Sequence, residues 1–177
     1  MESTNGKQRY SLGVLVGNQS GALARIASLF AGRGFNIDTL TVAPTLDPTV
    51  SRMTIVTEGD RQTLEQIAKQ LNRLVDVIKV IEYTDAAERS VERELALVKV
   101  KIKADTRADV LNICNIFNGK VVDLTRKTCT IEVTGEHDKV ESMLELLRPV
   151  GIQELVRTGL IAISRGPLAL REKSTGE

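Results

Sequence analysis

The stretch YSLGVLVGNQSGALARIASLFAGRGF, residues 10–35, decides the reading of the fold. Its first part sets Leu12, Val14 and Val16 two residues apart, the period of a half-buried strand. Asn18-Gln19-Ser20-Gly21 then supplies turn and capping residues. Leu23, Ile26, Ala27 and Phe30 follow at i, i+3, i+4 and i+7, which lays one apolar stripe along a helix. Gly32 and Gly34 close that helix, since its C-terminus favours a residue without a side chain.

Working outward, two strands are predicted over 36–43 and 52–57. Pro44 and Pro48 interrupt them, because neither proline can donate to a ladder. A helix over 61–74 carries Leu64, Ile67, Leu71 and Leu74 on one face, and a strand over 75–83 completes the order βαββαβ. The polar segment 84–93 reads as a linker. The same order then begins again. Ala96, Val98, Val100 and Ile102 alternate with Lys99, Lys101 and Lys103, and a helix over 107–117 groups Val110, Ile113, Cys114 and Phe117. Asn118-Gly119 breaks it. Strands over 120–124 and 128–134 precede a helix over 137–147 that presents Val140, Met143, Leu144 and Leu147. Pro149 and Gly151 end that helix, and 152–158 and 160–164 read as closing strands. Helices this short are marginal alone and need an apolar sheet face to stand on. Two ferredoxin-like α/β sandwiches in tandem meet that need. The class is therefore α+β, with domains at 1–83 and 94–177 and the linker at 84–93.

Bulk properties narrow the function. With 42% hydrophobic residues in 177 the chain can build a core, and with 3% aromatics that core rests on Val, Ile, Leu and Ala. Residues 1–83 carry 9 Lys/Arg against 8 Asp/Glu, and the remainder carries 15 against 15. Neither half has the basic excess of a nucleic-acid binder. An RNA-binding module shares the βαββαβ order but stacks bases on central-strand aromatics, and residues 52–57 have none. No apolar run approaches the ~20 residues of a membrane span. The start of the chain lacks the order of a signal peptide, and the widely spaced Cys114 and Cys129 suit reduced core thiols. The expectation is a soluble, cytoplasmic protein.

No catalytic or metal-binding constellation is legible. His137 is the single histidine, at a polar helix start, and reads as a surface residue; the cysteines lack zinc-type spacing. Gly32-Arg33-Gly34 ends a helix instead of opening one, which excludes a dinucleotide loop. An acylphosphatase-type hydrolase would use Arg25 and Asn36, but Arg25 reads as solvated. The informative place is the turn from Gly17 to Leu23. A helix N-terminus offers unpaired N–H groups and the positive end of the dipole, so a carboxylate is welcome there. Asn18 can donate and accept, as an amino-acid zwitterion requires. Asn36 could add a polar contact and Ile37 an apolar wall. The competing reading is an ordinary strand–helix turn capped by Ser20 or Asn18.

The strings NQSGALARIASLFAGRGFNIDTL (18–40) and LTVAPTLDPTVSRMTI (40–55) resemble the N-terminal ACT domain of acetohydroxyacid synthase small subunits. VDVIKVIEY (75–83), VERELALVKV (91–100) and GLIAISRG (159–166) match the same family's layout. The resemblance runs from about Tyr10 to Gly166. It implies a regulatory subunit without catalysis of its own, which activates a separate catalytic chain and confers feedback inhibition by valine in branched-chain amino acid biosynthesis. It implies a homodimer through the ACT domains, with the amino acid bound at their contact. Thiamine diphosphate, Mg²⁺ and FAD would then sit on the catalytic subunit. Asn18, Gly21 and Asn36 match effector-contacting positions, with Gln19, Ser20, Ala22, Leu23 and Ile37 beside them in the same motif. Gly17 departs from the family, which often has an acidic residue there. An ACT-type sensor for another biosynthetic enzyme is the alternative that the second-domain match weighs against.

Overall fold

A computed structural model of the chain describes residues 8–83, 90–167 and 170. Part of the expected linker, 84–89, lies outside the described residues, whereas 90–93 belong to a strand. In chain order the elements are β1 (Gln8–Gly17), α1 (Ala22–Gly32), β2 (Thr39–Pro44), β3 (Val50–Gly59), α2 (Arg61–Leu71), β4 (Val77–Tyr83) and β5 (Ser90–Lys101). They continue with α3 (Arg107–Ile116), β6 (Lys120–Leu124), β7 (Thr128–Gly135), α4 (His137–Leu147), a 3-10 turn (Arg148–Val150), β8 (Ile152–Arg157) and β9 (Ile161–Ser164). Two βαββαβ units result, as the periodicity predicts. One compact unit holds the described residues up to Val91 together with those from Leu160 onward, and the other is Glu92–Gly159.

The first unit's antiparallel sheet has the order β2-β3-β1-β4. Leu12, Val14 and Val16 pack with Met53 and Ile55 against Ile26 and Phe30 of α1 and Leu64, Ile67 and Leu71 of α2. The apolar stripe of α1 is rotated from the expected one. Ala22, Ile26 and Phe30 are buried, while Ala27 is exposed and Leu23 is 44% exposed. Phe30 anchors this orientation: its carbonyl accepts from Phe35 N at 3.0 Å, and the two rings meet edge to face at 6.4 Å. Asp60 caps α2 by accepting from Thr63 N at 2.7 Å. The helix ends at Leu71, short of the predicted Leu74, because the amide of Asn72 turns back onto Ala68 O at 2.9 Å.

Strand β1 is buried on both faces, where alternation predicted one. Ser11 and Leu15 are buried beside Leu12, Val14 and Val16. The second face is covered in part by residues later in the chain. Leu170 packs with Leu15, Val50 and Ile81. Arg52 Nη2 donates to the Tyr83 hydroxyl at 2.7 Å and to Ala162 O at 2.6 Å, and the Thr41 hydroxyl donates to Leu160 O at 3.2 Å. Residues 160–164 were expected to close the second half; β9 does pair β5 as the fifth strand of the sheet β6-β7-β5-β8, while by packing these residues group with the first unit. Gly13 is required by close approach, since a Cβ there would stand 2.9 Å from the Tyr83 ring.

The second unit's strands run β6-β7-β5-β8. Ala96, Val98 and Val100 meet Cys129, Ile131 and Val133 across the ladder and face Val110 and Cys114 of α3 and Val140, Met143, Leu144 and Leu147 of α4. On the other face Lys99 Nζ pairs with Glu154 at 2.9 Å, so this lysine is not simply solvated, while Lys101 and Lys103 are exposed.

Candidate ligand site

The turn after β1 is held from three directions. Gly17 N donates to Asp76 O at 2.8 Å, Asn18 N to Thr49 O at 2.7 Å, and Gln19 N to Gly17 O at 2.8 Å. The Asn18 amide donates to Pro48 O at 2.9 Å, which ties the turn to the β2–β3 connection. Gly21 precedes α1 with φ 87°, a left-handed conformation that glycine adopts without a steric penalty. No side chain caps α1, so the capping role considered for Ser20 or Asn18 is not taken up. Ala22 N reaches back to Gln19 O at 3.3 Å. Leu23 and Ala24 lie in the first turn, where the helix itself offers their N–H groups no carbonyl. The first turn carries no acidic residue, and Asn18, Gln19, Ser20 and Gly21 are exposed. An exposed, anion-favouring helix end with an adjacent amide is the result.

Asn36 and Ile37 were expected to open β2, but they lie in the α1–β2 connection, and β2 begins at Thr39. Local bonds account for this. The Asn36 amide donates to Asp38 Oδ1 at 2.6 Å, Asn36 O accepts the Thr57 hydroxyl at 2.6 Å, and Asp38 N donates to Val56 O at 2.9 Å. Ile37 is half-buried against the first core. Asn18 is therefore fixed at the Thr49 end of β3 and Asn36 at the Thr57 end. At ~3.4 Å per residue those ends are roughly 25 Å apart. The structure brings residues 18–23 together and, within one chain, sets Asn36 and Ile37 far from them.

Two residues beside the turn were not recognised from sequence. Arg25, read there as solvated, is half exposed and its Nε donates to Asp76 Oδ2. That bond holds the guanidinium above its ordinary pKa. Its Nη1 stands 3.0 Å from where a Cβ on Gly21 would be, so the guanidinium lies over the glycine. Asp76 has a side chain only 10% exposed, and its signal was a lone acid inside the apolar run 74–81.

His137 is likewise more engaged than its reading as a surface residue. Its Nδ1 is 3.1 Å from Arg157 Nη2 and 3.3 Å from Glu94 Oε1. Arg157 also bonds Glu94 and Glu141, and Glu94 is 1% exposed. Nearby, a groove of about 210 Å³ is lined by Arg93, Thr134, Gly135, Glu136 and Lys139. Its charges are occupied: Arg93 pairs with Glu136 at 3.1 Å, and Lys139 donates to Thr134 O at 2.9 Å. Among the described residues no group of three His, Cys, Asp or Glu side chains is placed to hold a metal ion, and no helix is long and apolar enough to cross a membrane.

Comparison with known proteins gives two successive matches along the chain. Residues 12–79 match the family described as the AHAS small subunit-like ACT domain, and residues 93–166 match the small subunit of acetolactate synthase. The acetolactate synthase small subunit of Mycolicibacterium smegmatis is 46% identical over 164 residues, covering 93% of this chain and 95% of that protein. Its counterpart from Aquifex aeolicus is 50% identical over 159 residues, covering 89% of this chain and 82% of its own length. The crystal structure of the small subunit from Thermotoga maritima superposes with a TM-score of 0.84 at 39% identity, covering 91% of this chain and 99% of that one.

Proposed function

This chain belongs to the acetolactate synthase small-subunit family, and on that premise we propose that it is a regulatory subunit that activates a catalytic acetohydroxyacid synthase chain and makes it sensitive to valine. The chemistry, with thiamine diphosphate, Mg²⁺ and FAD, belongs in this reading to the catalytic partner.

One observation carries the proposal of an effector site between two copies. The two matched groups, residues 18–23 and residues 36–37, sit at opposite ends of β3, so no single valine can touch both within one chain. Strand β2 is an edge of its sheet, with Asn36 and Ile37 just before its start and the Asn18-bound Pro48 just after its end. An antiparallel pairing of β2 with β2 of a second copy joins the start of one to the end of the other, as a two-fold contact requires. Asn36 of one chain then faces Asn18 of its partner, and a small zwitterion fits in the seam. Its carboxylate meets the open end of α1, its ammonium an amide carbonyl, and its isopropyl group the side of Ile37. A ligand in a seam acts on a distant active site through its different affinity for two subunit arrangements.

The test is titration calorimetry of the purified chain with valine, alone and after reconstitution with its catalytic subunit. Asn18→Ala and Asn36→Ala should each cost about 1–3 kcal/mol of valine binding and leave activation intact. Loss of activation in step with inhibition would show that the two roles share one surface.

A further inference from the structure

Asp76 makes two bonds that converge on the same turn. Its carbonyl accepts the Gly17 N–H at the turn's beginning, and its carboxylate accepts Arg25 Nε in the first turn of the helix that follows. The carboxylate is nine-tenths buried, whereas the arginine it holds is half exposed. The geometry at Gly21 shows where that arginine lies. A Cβ there would stand 3.0 Å from Nη1, 3.6 Å from Cζ and 3.8 Å from Nη2, so the guanidinium is laid across the glycine. Nε is engaged by Asp76, the side chain as a whole is half exposed, and Nη1 and Nη2 both lie within 4 Å of the Cβ position over Gly21. Arg25 is also the charged residue nearest the turn on α1, whose first turn has no acid to compete for it.

We propose that Arg25 is the residue that binds the effector's carboxylate, and that Asp76 is a positioning residue that holds Arg25 over Gly21. This rests on the effector-site reading above and assigns the charge in that site. A guanidinium fixed through Nε presents two parallel N–H donors, the fork that matches a carboxylate. Asp76 balances the arginine's charge when the site is empty, so the unliganded chain does not carry an isolated cation beside the positive end of a helix dipole. The absence of a side chain at Gly21 also leaves room for the guanidinium, because a Cβ there would crowd Nη1 at 3.0 Å and shift it by a few tenths of an ångström.

The experiment compares L-valine with L-valinamide, which keeps the ammonium and the isopropyl group and lacks the carboxylate. Binding is measured by calorimetry on the full chain reconstituted with its catalytic subunit, and the thermal midpoint of each variant is recorded alongside. The unsubstituted chain should prefer valine at least tenfold. Arg25→Gln should lose about tenfold or more for valine and little for valinamide, so that the preference collapses. Arg25→Lys should restore part of it. Asp76→Asn should reduce the preference less than Arg25→Gln does, with a thermal midpoint that shows the fold intact. Equal losses for both ligands in Arg25→Gln, or an unchanged preference, overturn the assignment of Arg25. An Asp76→Asn variant with full preference overturns the positioning role. If the unsubstituted complex binds no valine, the effector-site reading fails, and this inference fails with it.

Discussion

At the scale of single residues, the turn between β1 and α1 depends on Gly21 more than on any polar side chain in it. With φ 87° any L-residue pays roughly 1–2 kcal/mol for the left-handed conformation, and its Cβ would also press on Arg25. Gly21→Ala should therefore lower the thermal midpoint by about 2–4 °C per kcal/mol lost, a typical sensitivity at this chain length, and should weaken valine binding as well; scanning calorimetry and ligand titration read the two effects separately. A second residue-scale prediction concerns acid. The bond to Arg157 holds the Glu141 carboxyl below its ordinary pKa. A depressed folded-state pKa adds stability that is present above the unfolded value of about 4.3 and is lost as pH falls through the folded one. Unfolding followed between pH 5 and pH 3 should show the native state weakening, and Glu141→Gln should flatten that slope. A slope identical in the variant would mean that other carboxylates, such as the Asp60 cap, set the acid limit.

At the scale of elements, local periodicity was a good guide wherever one face of an element decides its burial. Helix α4 falls where the pattern puts it, because Val140, Met143, Leu144 and Leu147 stand on a sheet and nothing else competes. The pattern misled at α1, where Phe35 returning onto Phe30 turns the helix and leaves Leu23 outside. It also misled at Asn36, whose local bonds to Asp38 and Thr57 keep it out of β2 and delay the strand's start to Thr39. Of the candidate site, the turn at 18–21 was legible because glycine and amide residues mark it. The Arg25–Asp76 pair was not, since it joins positions 51 residues apart. The edge strand β2 carries its own prediction. Val42 is 41% exposed near the middle of that strand, so an antiparallel β2–β2 contact sets it close to its own copy. Val42→Glu places like charges opposite each other, which is destabilising, and the mass by light scattering should fall toward that of one chain. An unchanged mass would place the contact elsewhere. The thiols of Cys114 and Cys129 are buried, and burial pushes both pKa values up. Because the thiolate is the reactive form, both should resist a thiol reagent until denaturant is added.

For the whole molecule, the least legible feature is the packing of residues 160–164 with the first unit. Residues 160–164 alternate like a closing strand and β9 does pair β5 of the five-stranded sheet, but alternation says nothing about which unit the segment packs with. What commits this segment is polar. Arg52 donates both to Ala162 O and to the Tyr83 hydroxyl, beneath a face where Tyr83 is 4% and Ala162 5% exposed. Two acceptors buried that deeply need a donor, and leaving one unsatisfied costs about 1–3 kcal/mol. Arg52→Met should thus destabilise the first unit although it enlarges the apolar surface, and Tyr83→Phe, which removes one acceptor's demand, should make the same Arg52→Met change less costly. Chemical denaturation of the two single variants and the double variant measures that coupling directly, because residues sharing one bond are not additive. Strict additivity would mean that Leu170 and its apolar neighbours Leu15 and Val50 hold the segment. The arginine would then only fill the space beneath it.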